Sequence, residues 1–258
     1  MNNIEDSILN IFEEGNWYHT VGYKDTFSKG TFNYTSLIKQ LKFPSMEGLN
    51  VLDVGCSDGF FSKYFIESLN AKYCLGVDYN KYDDSVAFEV INTFEEDYQK
   101  KYLEMNDFMR LKINYENLGL NNSNKYNFLK KVFDLNIDFE TGSIYDLKKY
   151  EKFDVTFCGS LLEHLRDPIT AIEQLYFVTE KYCIIDISNS YGKLISYLNL
   201  PLIKYTGAGG NFFHHSSSAI KLMMETVGFK NIKILNNYKI KIEKYGYYIP
   251  HSLLIGYR

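Results

Sequence analysis

The chain of 258 residues is poor in cysteine: Cys56, Cys74, Cys158 and Cys183 stand far apart and form no C-x-x-C pair. That excludes a disulfide scaffold, and three of the four fall in apolar runs that read as strands, where a free thiol is a small buried hydrophobe. No uncharged apolar run approaches the ~18–20 residues of a membrane span. The first residues, Met1 to Asp6, are acidic where a secretory leader is basic. A cytoplasmic protein is expected. Basic residues are not in excess, since 28 Lys and Arg stand against 32 Asp and Glu with a pI near 5.8. A dense Arg/Lys stripe of the kind that grips nucleic-acid phosphates is missing. The 5 histidines show no H-x-x-x-H spacing, so no metal is expected.

What is present is ordinary globular composition, 45% hydrophobic and 23% charged, which excludes disorder, collagen-like repeats and coiled coil. A single domain of this length buries roughly 70–75% of its unfolded surface without staples. Charge is uneven, because residues 204–258 hold 8 Lys or Arg against 2 Asp or Glu while the rest is acidic. Lys239, Lys241 and Lys244 fit the wet face of an edge strand, where lysines discourage further pairing; a surface that attracts an anionic substrate is the alternative.

The periodicity alternates strand and helix. Asn50-Val-Leu-Asp-Val is a β-branched run followed by Gly55-Cys-Ser-Asp-Gly59, and then Phe60, Phe61, Tyr64, Phe65 and Leu69 recur at helical spacing. Tyr73–Asp78 is the next strand, so residues 50–78 form a βαβ unit of a parallel sheet. Further strands are expected at Asp138–Thr141, Phe153–Cys158 and Tyr182–Ile187, with a helix opened by Asp167-Pro168 between the last two. Residues 80–136 are too long for one crossover and predict a helical insertion or lid: one amphipathic helix on Ala87 to Tyr102, an Asn-rich turn at Asn121–Asn124, and a second helix on Phe128 to Phe133. Ser216–Val227 reads as a helix ended by Gly228, and Asn231–Leu235 and Tyr247–Tyr257 as strands. The fold expected is α/β, a Rossmann-like doubly wound sheet, in one domain: a helical cover over 1–47, a core of 48–79 and 137–258, and the insertion 80–136.

A strand that enters a helix through glycines presents unpaired N–H groups at the carboxyl edge of the sheet, where ligands of open α/β folds bind. Ser57 and Phe60 break the G-x-G-x-x-G dinucleotide pattern and Gly-Lys-Ser/Thr is missing, so neither NAD nor ATP is favoured. What remains is Asp53-x-Gly55-x-x-x-Gly59 with Asp78 ending the second strand. Asp78 can accept the hydroxyls of a ribose and Asp53 the ammonium of an amino acid, which suits S-adenosyl-L-methionine (SAM).

Val51-Leu-Asp-Val-Gly-Cys-Ser-Asp-Gly59, Leu75-Gly-Val-Asp78 and Phe153-Asp-Val-Thr-Phe-Cys-Gly-Ser-Leu-Leu-Glu-His164 resemble three motifs of class I SAM-dependent methyltransferases, in order. The resemblance covers residues 48–190 and implies a seven-stranded sheet with its last strand antiparallel. It also implies that Asp53, Gly55 and Gly59, with Cys56 and Ser57 between the glycines, surround the methionine end, that Asp78 binds ribose and Tyr79 packs on adenine, that Ser143 and Ile144 follow at the adenine side, and that Cys158, Gly159 and Ser160 lie below the sulfonium. Trp17-Tyr-His19, the Cys158–Pro168 stretch and Asn211-Phe-Phe-His-His-Ser-Ser-Ser-Ala219 resemble, more narrowly, the tRNA wobble-uridine methyltransferase-like group. Its members act on tRNA, in some cases with a carboxylated SAM, or on small molecules of surface-polysaccharide and natural-product pathways.

His164 follows the fourth strand and is the candidate base, although a Glu-His pair here can equally serve to order the next helix through Glu163. His214 and His215, in a glycine-rich and then serine-rich segment, are candidates for substrate binding, against a satisfied loop pair or helix capping by Ser216. Trp17 and His19 are candidates for an aromatic cover over the site, Trp17 alternatively for a core anchor. The function expected is methyl transfer from SAM to a small, anionic acceptor, such as a precursor in capsule phosphoramidate synthesis. The alternative is tRNA wobble-uridine methylation or carboxymethylation, and a SAM-binding subunit without turnover is the non-enzymatic reading.

Overall fold

The computed structural model describes residues 8–13, 15, 17–78, 122–189, 191, 198–208, 211–243 and 245–258. Asn50–Val54 forms β3 and Tyr73–Asp78 forms β4, after a two-residue hairpin of β1 (Gly22–Tyr23) and β2 (Thr26–Phe27). Ile137–Thr141 is β5, Phe153–Gly159 is β6 and Thr179–Ser188 is β7. Ile203–Ala208 and Asn211–His215 are β8 and β9, and Lys230–Lys241 and Tyr248–Tyr257 are β10 and β11. Seven of these strands make one sheet in the order β10-β11-β7-β6-β3-β4-β5. The pairs β3/β4, β3/β6, β4/β5 and β6/β7 are parallel, and β11 runs antiparallel to both of its neighbours. This is the expected seven-stranded doubly wound sheet with an antiparallel last strand.

The central strands read as near-continuous apolar runs because both of their faces are covered, as in parallel sheets generally. Val51 and Leu52 illustrate this: both are fully buried, and the alternation of the strand sends them to opposite cores. One core packs α1 (Phe60–Leu69) and α2 (Asn122–Phe133) against the sheet through Phe61, Phe65, Tyr126 and Leu129. The other packs α3 (Pro168–Val178) and α4 (Ser217–Val227) through Ile172, Leu175, Ile220 and Met224. The helix signals act as read. Asp167 accepts from the Thr170 backbone N–H at 3.0 Å with Pro168 in the first turn, and Gly228 closes α4 with φ 116°.

Strand order reverses at β3, with β4 on one side and β6 on the other, and this switch point opens the crevice at the carboxyl edge. Four differences from the sequence reading bear on it. Of the helical cover expected over 1–47, residues 8–13 are helical, but 17–47 holds the β1–β2 hairpin and a short helical turn at Ile38–Gln40. Its apolar residues follow no helical period, and Gly30 packs so closely on Thr20 that a Cβ would lie 2.1 Å from the backbone nitrogen. Asn122–Asn124 begin α2 instead of forming a turn. Ile203–Ala208 and Asn211–His215 pair as antiparallel strands, β8 and β9, that the sequence does not lead one to expect. The carboxyl-terminal hairpin is longer than expected, and β10 is an edge strand with Lys230, Lys233 and Lys239 exposed. The expected helix over Ala87–Tyr102 lies outside the described residues. No helix among the described residues is long and apolar enough to cross a membrane.

Candidate active site

The turn from β3 into α1 has the backbone that glycine allows. Gly55 and Gly59 sit at φ 78° and 85°, and Ser57 between them at 50°. A Cβ at Gly59 would lie 2.8 Å from the ring of Tyr126 on α2, and one at Gly55 would lie 3.1 Å from Leu161. The loop is tied to β4 twice, through Gly55 N–H to the Val77 carbonyl at 2.8 Å and Ser57 N–H to Asp78 Oδ2 at 2.7 Å. A glycine-lined turn at a helix start, with a carboxylate at the next strand end, fits the amino-acid and ribose parts of SAM.

Asp53 lies inside the fold. It is 1% exposed and accepts from Ser62 Oγ of α1 at 2.5 Å, so its carboxylate faces the helix and the ammonium contact expected of it is not set up in this arrangement. Burial, against the Ser62 hydrogen bond and with Asp78 and Asp58 adding repulsion, pushes its pKa up to about 7. Its neighbour Asp58, absent from the sequence reading, is completely buried and accepts from the His19 backbone N–H at 2.7 Å and from His19 Nδ1 at 2.6 Å. Burial opposes the charge of Asp58, but His19 and, further down, Lys125 outweigh it and lower the pKa. The pair fastens the amino-terminal segment onto the glycine loop.

Beside the loop is a cavity of about 170 Å³. Its floor is the carboxyl ends of β3 and β6, at Gly55, Gly159 and Ser160, and Ser160 holds φ 47° there. Tyr18, His19, Phe32 and Tyr34 from the amino-terminal segment form an aromatic wall with Phe61 and Phe157. The rest of the lining is polar: Glu163 and His164 after β6, Asp186 and Ser188 ending β7, Asn211 on β9 and His251 on β11. His251 and Asp186 form a buried pair, Nδ1 to Oδ2 at 2.8 Å, and Ser160 Oγ donates to the same Oδ2 at 3.3 Å. Burial alone disfavours the imidazolium, but Asp186 outweighs it and holds the His251 pKa above the usual histidine range. Asp186 Oδ1, Glu163 Oε2 and Asn211 Oδ1 are buried without a hydrogen-bond partner among the described residues.

The predicted residues divide accordingly. Gly55, Gly159, Ser160, His19 and His164 meet at the cavity. Trp17 does not: it is 1% exposed, stacks on Phe12 at 5.4 Å and donates through Nε1 to the Ile11 carbonyl, which makes it a core anchor. His214 and His215 lie in extended β9 outside the cavity lining. His215 is buried with its pKa lowered by that burial, and Ser216 caps α4 by accepting from Ala219 N–H, so neither histidine stands at an open helix end. Cys56, Cys158 and Ile144 are core side chains, leaving only their backbone for a ligand. The Ser143 hydroxyl accepts from Tyr145 N–H at the start of a helical turn. Tyr79 lies outside the described residues. Sequence reasoning missed Asp58, Asp186 and His251; for the last two the signal available was a lone charged or titratable residue inside an apolar run, Ile184–Ile187 and Tyr248–Tyr257 respectively.

The sequence model of a methyltransferase domain family matches residues 31–234. A comparison with curated proteins finds no match. Among solved structures, the amino-terminal domain of EvdMO1, determined in the presence of SAH and D-fucose, superposes with TM-score 0.60 at 12% identity, covering 100% of this chain and 97% of that one. The YcgJ protein of Bacillus subtilis superposes with TM-score 0.54 at 13% identity, covering 86% and 96%. At such identities the likeness is one of fold, whereas the family match spans most of the chain. The chain belongs to the methyltransferase domain family and is a SAM-dependent methyltransferase.

Proposed function

We propose that this methyltransferase acts on a small molecule seated in the cavity beside Gly159 and Ser160. The observation that carries the reading is the make-up of that cavity: Tyr18, His19, Phe32 and Tyr34, on a segment held to the glycine loop by the buried His19–Asp58 pair, line it together with the carboxyl ends of β3 and β6. Gly55 and Gly59 would hold the methionine end of SAM and Asp78 its ribose, with Gly159 and Ser160 under the sulfonium. Bound there, SAM supplies an electrophilic methyl group, and the chain's task is to align an acceptor with it. His164 and His19 stand at the acceptor side. A neighbour of the fold solved in the presence of D-fucose is in keeping with small-molecule chemistry.

Glu163 and Asp186 disfavour an anionic group inside the cavity, so any phosphate of a nucleotide-linked precursor stays outside it. A role in surface polysaccharide synthesis, the capsule phosphoramidate pathway included, is supported by the sequence resemblance alone. One observation favours tRNA instead, the exposed Lys230, Lys233 and Lys239 along the edge strand β10. The test is label transfer from methyl-labelled SAM to a cell extract separated into RNA and small molecules. Label among small molecules is expected; label in RNA that weakens steeply between low and moderate salt would replace this reading with the tRNA one.

A further inference from the structure

The polar wall of the cavity has more acceptors than the protein satisfies. Asp186 is 2% exposed and Glu163 4%, yet Asp186 Oδ1 and Glu163 Oε2 have no partner among the described residues, and neither has Asn211 Oδ1 on the same wall. Buried acceptors left unpaired cost about 1–3 kcal/mol each, so such a group of them signals a ligand that donates. Three ligand classes meet that demand differently. An anion offers no donors and is repelled by both carboxylates. An ammonium offers donors, but carboxylates beside it hold its proton and so keep its lone pair from the methyl group. A hydroxyl donates its proton to a carboxylate or imidazole and keeps its lone pairs for attack. Several acceptors that line one cavity together with aromatic rings such as Tyr34 and Phe61 match a ring with apolar faces and neighbouring hydroxyls on its edge.

We infer that the acceptor of this enzyme is a neutral polyol, bound through its hydroxyls by Glu163, Asp186 and Asn211 and relieved of one hydroxyl proton by His251. This rests on the small-molecule reading above and names its substrate class. The Nδ1 of His251 is committed to Asp186, which fixes the ring and leaves Nε2 for the ligand. In the reaction the acceptor oxygen forms a bond to the methyl carbon, the carbon–sulfur bond breaks with its electron pair going to sulfur, and the hydroxyl proton passes to His251 Nε2 and thence to solvent. His251 is the catalytic base and Asp186 its positioning residue.

The test uses the full chain, methyl-labelled SAM and the small-molecule fraction of a cell extract, and isolates the labelled product. The expected product is a methyl ether on a carbon-bound hydroxyl, stable to mild alkali. An alkali-labile methyl ester, a methylated amine or a methylated phosphate overturns the inference while leaving the small-molecule reading intact; label in RNA, or in nothing, overturns that reading itself. With the labelled acceptor in hand, His251→Asn is expected to lower kcat about 100-fold, with SAM affinity in calorimetry unchanged. Glu163→Gln, which preserves shape, is expected to raise the acceptor KM at least tenfold. Asp186→Asn is expected to move the acid limb of the kcat profile to lower pH. Wild-type kcat in His251→Asn, or wild-type KM in Glu163→Gln, refutes the assignment, and retained SAM binding by each variant certifies its fold.

Discussion

Asp53 gives the sharpest test of how the glycine loop is built, because its burial sets stability against charge. Asn at this position cannot ionise but still accepts from Ser62 Oγ, so Asp53→Asn removes the charge and keeps the hydrogen bond. The folded carboxyl has its pKa pushed from 3.8 to about 7. A group raised on folding contributes stability that is complete below its unfolded pKa and is lost as pH rises through the folded one. With these two values, the raised pKa lowers stability by about 2 kcal/mol at pH 5 and about 4 kcal/mol at pH 8, relative to the fully protonated limit. Asp53→Asn is therefore expected to gain about 2–3 kcal/mol on the wild type between pH 5 and pH 8. Urea unfolding of both proteins without cofactor, at unit intervals from pH 5 to 8, measures this directly. A wild-type-to-variant difference that stays constant within about 0.5 kcal/mol would refute the reasoning, since it would mean that Asp53 is solvated or already paired. The same logic reaches the ligand: a cationic cofactor lowers the Asp53 pKa on binding, so wild-type affinity should climb from pH 5 to 8 and that of the variant should not.

Gly59→Ala should destabilise the fold by about 1–3 kcal/mol, because a left-handed φ and a Cβ 2.8 Å from Tyr126 both oppose it; equilibrium unfolding checks this, and a loss below about 0.5 kcal/mol would contradict the loop geometry. Asp58→Ala strands the His19 backbone N–H and ring nitrogen in the interior and should cost about 3–5 kcal/mol at pH 7 in the same assay. The Asp58 pKa is lowered on folding, so its stabilisation is present above the ordinary carboxyl pKa and fades as pH falls through the lowered one. His251, faced by Asp186, Glu163 and the ring of Tyr238, should titrate above the usual histidine range in NMR spectra of the free protein, and Asp186→Asn should bring it down. Its contribution to stability has the opposite sign to that of Asp58, being complete below pH 6.5 and lost as pH rises through the raised value.

Which half of the site could be read from the sequence follows from how each half is made. The cofactor side is local. Gly55, Ser57 and Gly59 lie within one turn, and the demand for positive φ and close approach to Tyr126 acts on consecutive positions, so the need for glycine is visible in the sequence itself. The strands and helices around it are equally legible, since doubly buried strands such as Val51–Val54 become apolar runs broken there only by Asp53, and helix ends carry Asp167-Pro168 or Gly228. The amino-terminal segment failed for the same reason in reverse: between Trp17 and Phe43 the aromatic residues satisfy contacts with α1 and α2 and not a period of their own.

The acceptor side is assembled by topology instead. His251 reaches Asp186 because β11 inserts antiparallel beside β7, with His251 opposite Ser188, and no spacing along the chain encodes that register. His164, adjacent to a recognisable motif, attracts attention that the pairing geometry assigns to His251. The same division has a consequence for substitution. A change in the glycine loop meets backbone constraints at once, whereas Glu163, in the helical turn after β6, and His251, on β11, hold no left-handed φ and can be exchanged without backbone strain. Glu163→Gln and His251→Asn should accordingly alter the acceptor's KM or kcat at unchanged SAM affinity, while Gly59→Ala should impair cofactor binding and stability together. A variant set in which those two groups of effects could not be separated would show that cofactor and acceptor sides share one rigid unit, against the division drawn from β3, β6 and β11.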